Sequence, residues 1–180
     1  MNPACALVLI DVQKGFADPY WGPRNNPRAE EAISALLRQW RERGWPALHV
    51  QHLSTEPDSP LRPGRPGADF MDVARPQPGE AVFTKNVNSA FIGTSLEREL
   101  RARGLEQLVF CGFTTDHCVS TSVRMARNLG FSPTIVADAT VAFDRVDHRG
   151  ERFPAELVHA VSLASLGGEF ARVVEARELV

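Results

Sequence analysis

The feature that most constrains the fold of this chain is a regular alternation of short apolar runs with longer amphipathic segments. Runs that are apolar throughout are typical of strands buried on both faces of a parallel sheet. Six runs are predicted as strands, at residues 6–10, 47–50, 81–84, 108–111, 134–137 and 172–174. Parallel strands joined by helices form βαβ units, so the alternation predicts a layered α/β fold.

The segments between the runs carry apolar residues at helical spacing. This spacing predicts helices at residues 29–40, 96–100, 119–129 and 157–164. Residues 94–97 resemble a capping box at the start of the second helix. Two stretches, residues 15–27 and the proline- and glycine-dense residues 53–79, are predicted as loops. The sequence therefore predicts a single domain over residues 1–180, with a three-layer α/β/α fold and a six-stranded, mostly parallel sheet.

Charge and hydropathy exclude several classes of partner. Charged residues make up 23% of the chain, nearly cancel to a net charge of −2 and are interspersed, which argues against nucleic acid or a membrane surface. The N-terminal segment lacks the features of a secretory signal, and no run approaches the ~20 apolar residues of a spanning helix. We therefore expect a cytoplasmic protein whose partner is a small-molecule substrate.

Three polar residues follow predicted strands at the edge where open α/β sheets bind ligands. Asp11 follows the first run, Lys85 follows the third, and Cys118 ends the segment that leads from the fourth run to its helix. Cys5 and Cys111 lie inside apolar runs, where cysteine usually behaves as a small buried hydrophobe. A carboxylate, an ammonium and a thiol are expected to converge.

Each of these residues also has an ordinary structural interpretation. Asp11 is of the type that forms turns or caps helices, Lys85 could be a solvated lysine, and Cys118 could be an inert packed thiol. Together they favour chemistry, because a cysteine at a helix N-terminus beside a cation forms a thiolate more easily. This argument predicts a thiolate at neutral pH, with Asp11 as the base that takes the thiol proton.

Three segments resemble the isochorismatase-like cysteine hydrolases, a family that includes nicotinamidases and other small-amide hydrolases. They are LVLIDVQKGF, FTKNVNSAF and FCGFTTDHCVSTSVRMARNLGF, and they occur in the order found in the family. The resemblance implies that Asp11, Lys85 and Cys118 are a catalytic triad that hydrolyses an amide or carbamoyl bond through a thioester. It also implies assembly as a homodimer or homotetramer.

The resemblance extends to the backbone before the nucleophile. It implies a cis peptide bond between Phe113 and Thr114. It further suggests that the backbone N–H groups of Thr114 and Cys118 form an oxyanion hole.

Residues near the predicted ligand-binding edge of the sheet are candidates for binding the substrate. They are Gln13, Phe16, Tyr20, Trp21, Asn88 and Phe91. Gln13 could instead order the first loop by hydrogen bonding, and the aromatic residues could cover the edge of the sheet.

Part of this family has a metal-binding site whose ligands are not all present in this chain. Nicotinamidases bind a divalent ion through an Asp-x-His pair after the second strand and a later histidine. Here the corresponding stretch runs from His49 to Ser54 and contains His52 but no such pair. His49 and His52 are three residues apart on a predicted strand and face opposite sides, so no metal and no other cofactor is expected.

Two other functions remain open from the sequence. One is hydrolysis of a vinyl ether such as isochorismate, which in the family does not need the nucleophilic cysteine. The other is a non-catalytic binding or redox-sensing protein whose thiol at Cys118 is oxidised. A redox sensor needs no general base, which makes Asp11 harder to explain.

Overall fold

The predicted alternation of strands and helices is present in the computed structural model, which describes residues 5–180. The strands are β1 (Cys5–Ile10), β2 (Ala47–His52), β3 (Ala81–Lys85), β4 (Gln107–Phe113), β5 (Ser132–Val141), β6 (Arg145–Val146), β7 (Arg152–Phe153) and β8 (Arg172–Val174). The α-helices are α1 (Ala29–Glu42), α2 (Leu96–Ala102), α3 (Ser120–Asn128) and α4 (Ala155–Leu166), and a π-helix (Thr115–Val119) directly precedes α3.

Six strands form one sheet in the order β3-β2-β1-β4-β5-β8, and every neighbouring pair is parallel. This confirms the predicted fold class, and β6 with β7 adds a short antiparallel hairpin. The chain builds outward from β1 to β3 and then returns to place β4 beside β1. The strand order therefore reverses between β1 and β4, where α/β sheets bind their ligands.

The two faces of the sheet bury separate apolar clusters. Along β1, Leu7 and Leu9 face the cluster that includes α1, whereas Val8 and Ile10 face the cluster that includes α2, α3 and α4. Successive side chains of a strand point to opposite faces, so a fully apolar strand fills both clusters. This arrangement gives the three layers that the sequence predicts.

Several strand ends differ from their predicted positions. β2 extends through His52, and Lys85 is the last residue of β3 rather than the residue after it. The register between β4 and β5 shifts between Phe110 and Gly112. At Gly112 the φ angle is +118°, and an added Cβ would lie 2.0 Å from the carbonyl oxygen of Ile10, so only glycine fits beside β1.

The predicted capping box at α2 does not form. The hydroxyl of Thr94 accepts from the amide of Leu96 at 3.2 Å and donates to the carbonyl of Ala90 at 2.6 Å. Glu97 instead accepts from Arg101 at 2.8 Å. The helix begins at Leu96, too late for Glu97 to reach back across the first turn.

The segment that follows β1 lies against the predicted loop of residues 53–79. The amide of Lys14 donates to the carbonyl of Asp69, and that of Met71 donates to the carbonyl of Val12, at 2.9 and 3.0 Å.

Within residues 5–180, no helix has the length and apolar character required to span a bilayer.

Candidate active site

Asp11, Lys85 and Cys118 meet at the carboxyl edge of the sheet. Asp11 follows β1 with φ of +53°, Lys85 ends β3, and Cys118 lies in the π-helix after β4. β2 separates β3 from β1, so the Lys85 side chain must extend across the end of β2 to reach the other two groups. A long, flexible lysine side chain suits this position.

The ammonium of Lys85 lies between the other two side chains. Its Nζ is 2.7 Å from Asp11 Oδ2 and 3.3 Å from Cys118 Sγ. It is also 3.0 Å from Nδ1 of His52. An ammonium has three N–H donors, and here each has an acceptor.

Burial dominates the electrostatics of this cluster. The side chains of Asp11 and Lys85 are both 0% exposed. Burial raises the pKa of Asp11, and the charge and hydrogen bond of Lys85 oppose that rise. Since Oδ1 of Asp11 is buried without a hydrogen-bond partner among the described residues, it is free to accept a proton.

The structure corrects the expectation of a thiolate at Cys118. Burial, and then the negative charge of Asp11, raise the pKa of the Cys118 thiol to about 12, although Lys85 acts in the opposite direction. The sequence argument included the helix start and the cation but had no measure of burial. We therefore expect Cys118 to be a protonated thiol at neutral pH.

His52 is the residue of this site that the sequence argument missed. Burial, and then the charge of Lys85, lower the pKa of its imidazole to about 4. The ring is thus neutral at physiological pH, and Nδ1 can accept from Lys85. His52 pairs with Lys85 in the register of β2 and β3, whereas the sequence argument considered His52 only as a metal ligand.

The side chain of Gln13 forms hydrogen bonds with the backbone of His52. Its Nε2 donates to the carbonyls of His52 and Ala68 at 2.9 and 2.8 Å, and its Oε1 accepts from the amide of His52 at 2.8 Å. Gln13 is fully buried. These contacts agree with the interpretation that Gln13 orders the first loop rather than contacting the substrate.

The structure contains the cis peptide that the family resemblance implies. Phe113 and Thr114 are joined by a cis peptide bond. The side chain of Thr114 is buried, and its Oγ1 has no hydrogen-bond partner within residues 5–180.

Asn88 and Phe91 are the predicted substrate contacts in the segment that follows β3. Asn88 is exposed, and its Oδ1 accepts from the thiol of Cys118 at 3.7 Å. Phe91 is half-buried and stacks on Phe131 with ring centroids 6.0 Å apart. Asn88 is therefore the candidate that lies beside the thiol.

The aromatic residues of the first loop cover one end of the apolar core. Phe16 is buried and stacks on Phe113 at 4.9 Å, and Trp21 packs against Phe16 at 5.0 Å. Tyr20 is 59% exposed. This placement matches the alternative expectation that these side chains cover the sheet edge, and it gives Phe16 no free face for a substrate.

A cavity of about 660 Å³ opens beyond the carboxyl ends of β2 and β3. Its lining includes Leu53, Thr84, Asn86 and Ile92, together with the Arg62 side chain of the long loop. The segment that carries Asn86 and Ile92 also carries Asn88. The volume suits a small molecule.

The cluster does not fit a metal ion. Ligand atoms of Asp11, His52 and Cys118 lie within 4.8 Å of one another. However, the Lys85 ammonium donates to all three and occupies the space between them. His49 is turned to Glu80, at 2.9 Å, and takes no part in the cluster.

Comparisons with known proteins agree with the fold. A model of the isochorismatase domain matches residues 5–175. YrdC of Bacillus subtilis, an uncharacterized protein of the isochorismatase family, is 43% identical over 180 residues, which are 100% of this chain and 96% of that protein.

A solved structure and a named enzyme extend these comparisons. A Chromobacterium violaceum structure assigned to the isochorismatase family of hydrolases matches with a TM-score of 0.95 and 48% identity, covering 99% of this chain and 92% of that one. The ureidoacrylate amidohydrolase RutB of Pseudomonas savastanoi pv. phaseolicola is 39% identical over 149 residues, which are 78% of this chain and 56% of that protein.

Proposed function

The chain belongs to the isochorismatase family of hydrolases, and we propose that it is a cysteine-dependent member that cleaves an amide or carbamoyl C–N bond of a small molecule. The observation that carries the proposal is the buried ammonium of Lys85, which contacts both the Asp11 carboxylate and the Cys118 thiol. The amidohydrolase among its relatives supports this type of bond.

In this mechanism Asp11 is a proton shuttle. A thiol whose pKa is about 12 needs a base at the moment of attack, and burial makes the Asp11 carboxylate more basic than usual by raising its pKa. Lys85 stabilises the anionic pair while the sulfur of Cys118 attacks the carbonyl carbon. Asp11 then gives the proton to the departing nitrogen, which leaves a thioester.

The second half of the reaction reverses these roles. Asp11 takes a proton from water, which attacks the thioester, and the proton returns to the sulfur of Cys118 as the acid is released. The backbone N–H groups of Thr114 and Cys118 are proposed to stabilise the oxyanion in both halves. Asn88, beside the thiol, is proposed to contact the substrate.

The alternative functions explain fewer features of the site. Vinyl ether hydrolysis needs no thiol next to Asp11 and Lys85. A redox sensor needs an exposed thiolate, whereas Cys118 is 9% exposed and its pKa is raised to about 12.

The proposed oligomeric state and compartment rest on the family resemblance. We propose a single domain over residues 1–180 that assembles as a homodimer or homotetramer in the cytoplasm. Light scattering on the purified protein should then give two or four times the chain mass of 19.8 kDa. A mass of one chain at micromolar concentration would refute that assembly.

Ammonia release from a panel of small amides and carbamoyl compounds tests the proposed chemistry. Wild-type protein should release ammonia from at least one compound, and Cys118→Ser should not. Intact mass spectrometry should detect an acyl adduct on the wild-type protein. Cys5→Ser, a change at another buried free thiol, is the control, and equal turnover by Cys118→Ser would exclude a nucleophilic cysteine.

A further inference from the structure

The third hydrogen bond of Lys85 goes to a residue that the proposed reaction does not use. Asp11 and Cys118 take two of the three ammonium donors, and His52 Nδ1 takes the remaining one at 3.0 Å. A buried donor without an acceptor is costly, so the third contact restricts where the ammonium can lie. His52 is the last residue of β2, directly beside the path that the Lys85 side chain follows.

The protonation state of His52 suits this contact. A protonated imidazole could not accept from an ammonium and would repel it. Burial, followed by the charge of Lys85, lowers the pKa of His52 to about 4, while a hydrogen bond to the carbonyl of Val87 opposes this. A neutral ring that accepts at Nδ1 must carry its proton on Nε2.

The backbone of His52 is fixed by contacts that do not involve the Lys85 side chain. Gln13 accepts from the amide of His52 and donates to its carbonyl, and it also donates to Ala68 in the long loop. Gln13 lies two residues after Asp11. The same short segment thus supplies the carboxylate and fixes the backbone that carries the imidazole.

We propose that His52 is a positioning residue that holds the Lys85 ammonium between Asp11 and Cys118 by accepting its third N–H at Nδ1. The role of His52 in turnover rests on the proposed cysteine hydrolase reaction, whereas the contact itself does not. Without His52 the ammonium can turn away from Asp11 or Cys118, so the chemical step slows while binding of the substrate changes little.

Nitrogen NMR of histidine-labelled protein tests the contact without any substrate. His52 should be neutral at pH 6, with the proton on Nε2 and none on Nδ1. In Lys85→Met the His52 pKa should rise toward the ordinary histidine value of about 6.5, because a cation that lowers it has been removed. A proton on Nδ1 of the wild-type protein, or a His52 pKa that is the same in Lys85→Met, would overturn the proposal.

A pair of variants tests the effect on turnover, with the reactive amide of the panel as probe. His52→Leu should lower kcat at least about tenfold and leave KM within about threefold. His52→Asn should recover much of kcat, because its Oδ1 lies near the position of Nδ1 and can accept from Lys85. Equal losses in the two variants, or a change in KM alone, would refute a positioning role.

The outcomes separate this proposal from the proposed function. If wild-type protein hydrolyses no amide in the panel, the hydrolase assignment fails, yet the NMR result still decides the contact between His52 and Lys85. The rate at which iodoacetamide alkylates Cys118 then replaces kcat as the readout. It should fall in His52→Leu and not in His52→Asn, since Lys85 lowers the thiol pKa only while it stays in place. Equal rates in both variants would overturn the proposal, and if His52→Leu fails to fold, His52→Asn and Lys85→Met still decide it.

Discussion

At the scale of single residues, the protonation of Cys118 decides how the site works. The sequence places the thiol at a helix start beside a lysine, which favours the thiolate. Burial and the charge of Asp11 outweigh both effects and raise the pKa to about 12. The sulfur of Cys118 is thus expected to be protonated before the reaction, and Asp11 is required to remove that proton.

Alkylation of Cys118 by iodoacetamide should therefore be slow at neutral pH. The reactive thiolate is a minor species well below pH 12, so the rate should rise about tenfold for each pH unit between pH 7 and 10. Lys85→Ala should slow it further, because Lys85 lowers this pKa. Mass spectrometry of labelled peptides measures each cysteine separately.

Cys111 is the internal control for that experiment. Complete burial raises the pKa of its thiol as well, and no lysine contacts it, so it should react more slowly than Cys118 at every pH. A Cys118 rate that levels off below pH 8 would show that the thiolate already exists in the unliganded site.

Asp11→Asn should lose the chemical step and keep substrate binding. The substitution preserves the shape of the side chain but removes the base, so kcat should fall by about 10²–10⁴ with little change in KM. Asp58→Asn, in an exposed part of the long loop, is the matched control. Wild-type kcat in Asp11→Asn would exclude Asp11 as the proton shuttle.

At the scale of elements, close packing of β4 against β1 depends on one glycine. Ala at position 112 would need a φ of +118° and would place its Cβ 2.0 Å from the Ile10 carbonyl oxygen. Gly112→Ala should therefore destabilise the protein by more than about 3 kcal/mol or prevent folding. Gly104→Ala, at φ of +64° with open space around it, should cost only about 1 kcal/mol. Equal costs in urea unfolding would mean that the clash relaxes.

Glu80 directly precedes β3 and connects this strand to α1 and β2. It accepts from Arg41 of α1 at 2.7 Å, from the amide of Gln77 at 2.8 Å, and contacts His49 of β2 at 2.9 Å. Burial alone would raise its pKa, but these hydrogen bonds outweigh burial and lower the pKa to about 2. A carboxylate whose pKa falls on folding stabilises the folded state above its unfolded pKa.

Glu80→Gln should cost about 2 kcal/mol of unfolding free energy at pH 7. The difference from wild type should shrink as the pH falls from about 4.5 toward 2, because the folded-state advantage is lost on protonation. Glu97→Gln removes a half-exposed pair with Arg101 and should cost no more than about 0.5 kcal/mol. A constant difference between pH 7 and 3 would contradict the role of the charge.

The elements themselves were largely predictable from the sequence, and their ends were not. Apolar runs and helical spacing depend on local pattern, and they predicted all six strands of the main sheet. Whether β2 ends at Val50 or His52 depends on pairing with β3, which no local pattern contains. Because that pairing was missing, the sequence argument considered His52 only as a metal ligand and not as a contact of Lys85.

At the scale of the whole molecule, the site is assembled from four distant parts of the chain. Strand order brings Asp11, His52, Lys85 and Cys118 to one edge of the sheet. The three residues predicted from sequence follow from motifs at strand ends. Their depth of burial, and therefore their pKa values, depends on how distant segments of the chain pack together, which no local pattern contains.

The unfolding temperature of the whole protein should not depend on divalent metal. An ion that binds only the folded state would raise it with concentration, but the space between Asp11, His52 and Cys118 is taken by the Lys85 ammonium, which a metal would have to displace. Dialysis against a chelator should thus leave both the melting temperature and turnover unchanged, and added zinc should not raise the melting temperature. Metal analysis of protein purified without added metal should find less than one ion per chain. Stoichiometric zinc or iron, whose removal lowers the melting temperature or stops turnover, would show that Lys85 leaves this position and that a metal takes its place.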